Sequence, residues 1–154
     1  MKKGKILYLE DNPEWVEHIN ELLAEYDVHT ADTFLDASAS FSPDEKYDLA
    51  IIDIDIKIKD TFIARENRYY EDEIHPKGGF MFIRQLLESK GGYLREGNII
   101  ILSGRVQNDN NWQVLTEEFH VAGVFDKGDF LDKMDELKSL VDSIVTINRT
   151  KDVK

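Results

Sequence analysis

Short apolar runs alternate along the chain with stretches in which apolar residues recur every three or four positions. The apolar runs lie at 6–9, 28–31, 49–54, 99–102 and 121–125. Several of them lack polar alternation, which is typical of parallel strands that are covered on both faces. The pattern therefore predicts five βα units that form an α/β fold with a doubly wound, five-stranded parallel sheet.

The first and last helices have the clearest predicted limits. Asn12 is a suitable N-cap and Pro13 fits the first helical position of the first helix. Its apolar face contains Trp15, Val16, Ile19, Leu22 and Leu23. The last helix is predicted from a cap at Asp129 to about Ile147. Its apolar positions are Leu131, Met134, Leu137, Leu140, Val141, Ile144 and Val145. Weaker periodicity predicts three further helices near 34–41, 80–87 and 112–119.

Residues 56–78 do not fit an ordinary connection between a strand and a helix. Such connections usually take about 2 to 6 residues, whereas about 20 residues separate the third strand from the third helix. We expect an insert within a single domain of residues 1–148, followed by a frayed tail at 149–154. We see no linker to an output domain, so a stand-alone module is expected.

The composition excludes several classes of function. The 154 residues are 42% hydrophobic and 32% charged, which is typical of a soluble globular protein. The net charge of −12 would repel a phosphate backbone, so direct nucleic-acid binding is disfavoured. No apolar run is long enough to span a membrane, and the first is too short for a signal peptide. The absence of cysteine fits a reducing cytoplasm, which is the expected location.

The residues that follow the apolar runs point to chemistry at one edge of the sheet. In doubly wound sheets, ligands bind at the carboxyl ends of the strands. Here the sequence places three acids, a hydroxyl and an ammonium: Glu10, Asp11, Asp53, Ser103 and Lys127. Clustered carboxylates favour a hard divalent cation such as Mg²⁺, which relieves their repulsion. With Asp53 as nucleophile, and Lys127 and Ser103 contacting phosphoryl oxygens, such a set could accept a phosphoryl group.

Four segments resemble those of the receiver domains of two-component signalling. The segments are 5–12 (KILYLEDN), 47–53 (YDLAIID), 99–104 (IIILSG) and 122–127 (AGVFDK). The resemblance implies a flavodoxin-like (βα)5 receiver fold. It implies these roles: Asp53 as phosphoacceptor, Glu10 and Asp11 as Mg²⁺ ligands, Ser103 as switch hydroxyl, Lys127 as the lysine that contacts phosphate, and the Asp55 backbone carbonyl as a further metal ligand.

The same resemblance implies partners. A histidine kinase or a phosphotransfer protein would supply the phosphoryl group. A separate effector protein, or a second copy of the chain in a homodimer, would read the face formed by the fourth helix, the fifth strand and the fifth helix. A receiver is not an enzyme in the usual sense, because it catalyses only its own phosphorylation and dephosphorylation.

The sequence also departs from the receiver pattern. Receivers usually carry an aromatic switch residue three positions before the lysine, where this chain has Val124. Phe125 would point to the opposite face of the strand. Asp55 adds a carboxylate two residues after the phosphoacceptor, and we hypothesise that it tunes hydrolysis of the phosphate. The insert replaces the short loop that normally follows the acceptor, which puts access to Asp53 in doubt.

Two other functions remain open from the sequence. An apolar strand ending in Asp53-Ile54-Asp55 also resembles the nucleophile motif of haloacid dehalogenase-type phosphatases, and the insert lies where those enzymes have a cap. Lys57 and the acidic pair on the first strand argue against that family. The other alternative is a pseudo-receiver that binds a partner without phosphorylation, although such domains commonly lack one or more of the five site residues.

Overall fold

The computed structural model describes residues 2–33, 36–37, 39, 47–53, 98–104 and 121–152. Its centre is a five-stranded sheet in the order β2-β1-β3-β4-β5, and all four strand pairs are parallel. The strands are β1 (Lys5–Leu9), β2 (Asp27–Ala31), β3 (Leu49–Ile52), β4 (Ile99–Ser103) and β5 (Gly123–Asp126). The predicted five-stranded parallel sheet is confirmed.

Burial distinguishes the central strands from the edges. Every residue of β3 and β4 is buried, as are the last four residues of β1. The edge strands β2 and β5 are more exposed. This difference explains why the three central runs are continuously apolar, because helices or loops must cover both faces of a central parallel strand.

Two helices are described in full. Helix α1 (Pro13–Leu22) begins as predicted, with the Asn12 side chain accepting a hydrogen bond of 2.9 Å from the Glu14 amide. Helix α2 (Phe130–Asp152) follows a short 3-10 turn, Lys127–Asp129. Both helices pack against the same face of the sheet. Their common core contains Ile6, Tyr8, Leu49, Ile51, Ile100 and Leu102 from the strands, Ile19 from α1, and Leu137, Val141 and Val145 from α2.

The start of α2 corrects one prediction from the apolar pattern. Leu131, which the periodicity placed on the buried face, is 84% exposed, whereas the preceding Phe130 is 6% exposed. Phe130 instead lies against the Trp15 ring of α1, with ring centroids 4.9 Å apart. The larger ring occupies the space at the top of the core, so Leu131 turns toward solvent.

The end of α2 corrects a second prediction. The helix continues to Asp152 rather than ending at about Ile147, so residues 149–152 belong to a helix and not to a frayed tail. The side-chain amide of Asn148 donates a hydrogen bond of 2.8 Å to the backbone carbonyl of Asp48, and Arg149 Nη2 lies 3.0 Å from Asp48 Oδ2. These contacts fasten the helix to the amino edge of the sheet.

Some predictions lie outside the described residues. These are the helices near 80–87 and 112–119, the insert at 56–78, Asp55, and most of the helix near 34–41, of which only residues 36, 37 and 39 are described. No helix in the described part of the chain is long and apolar enough to cross a membrane.

Candidate functional site

The acids of strands β1 and β3 meet at the carboxyl edge of the sheet. Glu10 directly follows β1 and Asp53 directly follows β3, and the register pairs Leu9 with Ile52. The Asp53 amide donates a hydrogen bond of 3.0 Å to the Leu9 carbonyl, which continues the parallel ladder to the acid itself. One carboxylate oxygen from each of Glu10, Asp11 and Asp53 lies within 4.8 Å of the others.

Glu10 is buried and held from several sides. Its Oε2 accepts hydrogen bonds from the amides of Asp11 and Asn12, at 3.0 and 3.2 Å. The Tyr8 hydroxyl donates to Oε1 at 3.3 Å. Burial and the nearby Asp53 carboxylate raise the pKa of Glu10 to about 7, although Lys127 opposes the shift. The charged form of Glu10 therefore depends on cations close to it.

Lys127 supplies positive charge to these acids. It opens the 3-10 turn after β5, where the Asp126 side chain accepts a hydrogen bond of 2.7 Å from the Gly128 amide. Its Nζ atom lies 2.5 Å from Glu10 Oε1 and 2.9 Å from Asp53 Oδ2. Burial lowers the pKa of Lys127, but its contacts with Glu10 and Asp53 outweigh this effect and raise the pKa above its ordinary value.

The charges of this group fit a divalent cation. Glu10, Asp11 and Asp53 bring three carboxylates and Lys127 brings one ammonium, so the four side chains are net negative when all are ionised. A hard cation that prefers oxygen ligands would relieve the repulsion that raises the pKa of Glu10. Mg²⁺ therefore fits the donor set that the structure brings together.

Ser103 adds an unsatisfied polar group at the same edge. It is the last residue of β4, it is fully buried, and the register pairs it with Asp126 of β5. Its Oγ atom makes no hydrogen bond within the part of the chain that the structure describes. A buried hydroxyl without a partner costs free energy, so a ligand oxygen that accepts its proton would be stabilising.

Comparisons with known proteins identify the fold. No protein-family model and no curated protein sequence matches the chain. Solved structures do match. The receiver domain of a sensor histidine kinase from Pseudomonas aeruginosa, with a magnesium ion coordinated in its active-site cleft, has a TM-score of 0.65. It is 19% identical, and the match covers 93% of this chain and 98% of that domain. The chain has the receiver fold.

Two further structures show the same similarity. The signal receiver domain of a histidine kinase from Syntrophus aciditrophicus is 21% identical, with 93% of this chain and 90% of that one covered and a TM-score of 0.65. The non-phosphorylated receiver domain of HemR from Leptospira biflexa is 17% identical, with 92% and 94% covered and a TM-score of 0.64. These similarities confirm the fold expected from the four sequence segments.

Val124 occupies the position on β5 where the sequence resemblance leads one to expect an aromatic residue. Val124 pairs with Ile101 and Phe125 pairs with Leu102. Phe125 packs against the core shared with the helices, so it lies on the face that α2 covers. Val124 therefore lies on the opposite face, as the sequence predicts. The structure does not describe Asp55, whose assignment as a metal ligand stays a prediction.

Two residues that contact the site are not predicted from the sequence. Tyr8 belongs to an apolar strand and Trp15 to the apolar face of α1, so the pattern alone places both in the core. In the structure the Tyr8 hydroxyl contacts Glu10, and the Trp15 ring centroid lies 5.1 Å from Lys127 Nζ. Their spacing from the acids in the sequence could have indicated these contacts. Tyr8 lies two residues before Glu10, on the same face of the strand, and Trp15 lies in the first turn of the helix that starts beside Asp11.

Proposed function

We propose that the chain is a response-regulator receiver module that accepts a phosphoryl group on Asp53. The observation that carries this proposal is the contact of Lys127 with both Asp53 and Glu10, beside three clustered carboxylates at the carboxyl edge of a receiver fold. Asp53 is 4% exposed, and its buried carboxylate is compensated by the Lys127 ammonium at 2.9 Å.

In the proposed reaction, a carboxylate oxygen of Asp53 attacks the phosphorus of the donor. The bond from phosphorus to the donor's leaving atom breaks with its electron pair, and an acyl phosphate forms on Asp53. Lys127 binds a phosphoryl oxygen, and the Ser103 hydroxyl donates a hydrogen bond to another. Mg²⁺, held by Glu10, Asp11 and Asp53, would neutralise charge on the phosphoryl group.

The proposed partners follow from this chemistry. A histidine kinase or phosphotransfer protein would donate the phosphoryl group. The output surface would comprise β5, α2 and the fourth predicted helix near 112–119, read by a separate effector protein or a second copy of the chain.

The test is intact-mass analysis after incubation with acetyl phosphate. With Mg²⁺ present, the wild type should gain the mass of one phosphoryl group, and chelation with EDTA should prevent this gain. Asp53→Ala should show no gain. Asp36→Ala removes an exposed acid near the site and should be phosphorylated like the wild type. A gain of equal size in Asp53→Ala would reject Asp53 as the acceptor.

Other outcomes would indicate that the chain has one of the two alternative functions. Sustained release of inorganic phosphate from small phosphate esters would favour a phosphatase over a receiver. Absence of any adduct, together with absence of Mg²⁺ binding by calorimetry, would identify a pseudo-receiver that binds its partner without phosphorylation. Each of these results would overturn the proposed function.

A further inference from the structure

Trp15 stands between the hydrophobic core and the candidate site. Its ring centroid is 5.1 Å from Lys127 Nζ, the ammonium that contacts Glu10 and Asp53. Ile19, further along the same face of α1, and Leu23, which follows the helix, are almost completely buried, whereas Trp15 is only partly buried. The indole is therefore placed at the rim of the core, where one side meets apolar groups and another meets a cation.

The orientation of the indole is fixed by a second ring. Trp15 meets Phe130 edge to face, with a centroid distance of 4.9 Å and an interplanar angle of 79°. Phe130 begins α2 and lies three residues after Lys127, so the same turn that carries the lysine also carries the ring that supports the indole. Edge-to-face pairs are stabilised beyond the burial of their surface.

Lys127 needs such a support because its side chain is flexible. A lysine stem has several rotatable bonds, and fixing them costs conformational entropy. The carboxylates attract the ammonium, but a divalent cation or a phosphoryl group would compete for those same oxygens. An aromatic ring attracts an ammonium without occupying any carboxylate oxygen. The indole can thus keep the ammonium near the site whatever else the acids bind.

We propose that Trp15 is a positioning residue that holds the Lys127 ammonium between Glu10 and Asp53 through a cation–π contact. The effect on phosphoryl transfer rests on the proposed function, since it acts through Lys127. The placement of the ammonium does not, because it concerns contacts within the chain alone.

The first experiment measures the rate of phosphorylation by acetyl phosphate with Mg²⁺, followed by intact mass. Trp15→Leu keeps an apolar side chain but removes the ring, and should slow phosphorylation about 3- to 10-fold. Trp15→Phe retains an aromatic face and should recover most of the lost rate. The matched control is His18→Leu, which removes a ring that contacts both Trp15 and Phe130 but that makes no described contact with Lys127. It should be phosphorylated at the wild-type rate.

A wild-type rate in Trp15→Leu would overturn the proposal. Equal slowing in Trp15→Leu and Trp15→Phe would also overturn it, because a loss that another aromatic ring does not restore is a packing effect. Far-ultraviolet circular dichroism confirms that each variant is folded. If Trp15→Leu does not fold, the measurement below still decides.

The second experiment does not depend on phosphorylation. In NMR spectra of the wild type, the ring current of Trp15 should shift the ε-methylene protons of Lys127 upfield, and Lys127→Arg assigns the resonance by its disappearance. The shift should be smaller in Trp15→Phe. An unshifted Lys127 resonance in the wild type would refute the contact. A shifted resonance in a protein that acquires no phosphoryl group would retain the contact and reject the proposed function.

Discussion

Two buried polar groups at the carboxyl edge of the sheet, Glu10 and Ser103, cost free energy when no ligand is present. Glu10 has a pKa raised to about 7 by burial and by Asp53, which means that its ionised form is disfavoured in the protein alone. Ser103 Oγ is buried without a hydrogen-bond partner among the described residues. Both features cost free energy in the absence of a ligand and are relieved by the cation and the phosphoryl oxygens of the proposed reaction.

Ser103 allows this cost to be measured. Ser103→Ala replaces the hydroxymethyl side chain by a methyl group and so removes the desolvation penalty of the buried hydroxyl. The free energy of unfolding should rise by up to about 1 kcal/mol. Urea denaturation in the presence of EDTA measures it. By the proposed function, the same variant should be phosphorylated more slowly than the wild type.

Thr33 provides the matched control for Ser103. It is also buried, but its Oγ1 accepts a hydrogen bond of 3.1 Å from the Asp36 amide. Thr33→Val should therefore lower the free energy of unfolding by about 1 kcal/mol. A loss of stability in Ser103→Ala as large as that in Thr33→Val would mean that the Ser103 hydroxyl is satisfied in solution.

At the scale of elements, the last turns of α2 act as a clamp on the opposite edge of the sheet. Asp48 precedes β3, and its Oδ2 accepts hydrogen bonds from the Lys5 amide at 2.8 Å and from Arg149 at 3.0 Å. Gly4 makes this junction compact, because a Cβ atom there would lie 2.7 Å from Val145 Cγ1 and 2.9 Å from Asp48 Oδ2. The clamp thus joins β1, β3 and α2.

We expect Asp48 to contribute more to stability than Arg149. Asp48→Ala deprives the Lys5 amide of its acceptor and should cost about 1–3 kcal/mol. Arg149 is 55% exposed, so Arg149→Ala should cost less than about 1 kcal/mol. Urea denaturation compares the two, with Glu136→Ala as the control for loss of an exposed ion pair on the same helix. If Asp48→Ala and Glu136→Ala lowered the free energy of unfolding equally, the contacts of Asp48 would add nothing to stability beyond an exposed ion pair.

The contacts at the end of α2 could not be predicted from the sequence, unlike the strands and the helix starts. The strands and the starts of α1 and α2 were predictable because apolar runs, an N-cap and a proline are local signals. The end of α2 was not, since its last turns are polar and are held by Asp48, about a hundred residues earlier in the chain. The site behaves likewise. The acids at the strand ends are visible in the sequence. The contacts of Tyr8 and Trp15 are not, because an apolar pattern does not reveal what the hydroxyl of a tyrosine or the ring face of a tryptophan contacts.

For the whole molecule, the net charge of −12 and the clustered acids make stability depend on cations. Mg²⁺ at ten times its dissociation constant should raise the free energy of unfolding by about 1.4 kcal/mol, because the proposed site would bind it only in the folded state. Thermal unfolding with and without Mg²⁺, at equal ionic strength set with sodium chloride, measures this. Asp53→Ala should lose most of the increase, and an undiminished increase in that variant would assign the effect to other acids.

The parallel topology determines when the candidate site forms during folding. Lys127 and Asp53 are 74 residues apart, and Glu10 follows yet another strand, so the group forms only when β1, β3 and β5 have taken their places in one sheet. Contacts of such long range require long loops to close, which costs conformational entropy and slows folding. A chain in which these strands have not yet paired therefore has no lysine beside its aspartate. By the proposed function, phosphorylation of Asp53 would then report that β1, β3, β4 and β5 are in place.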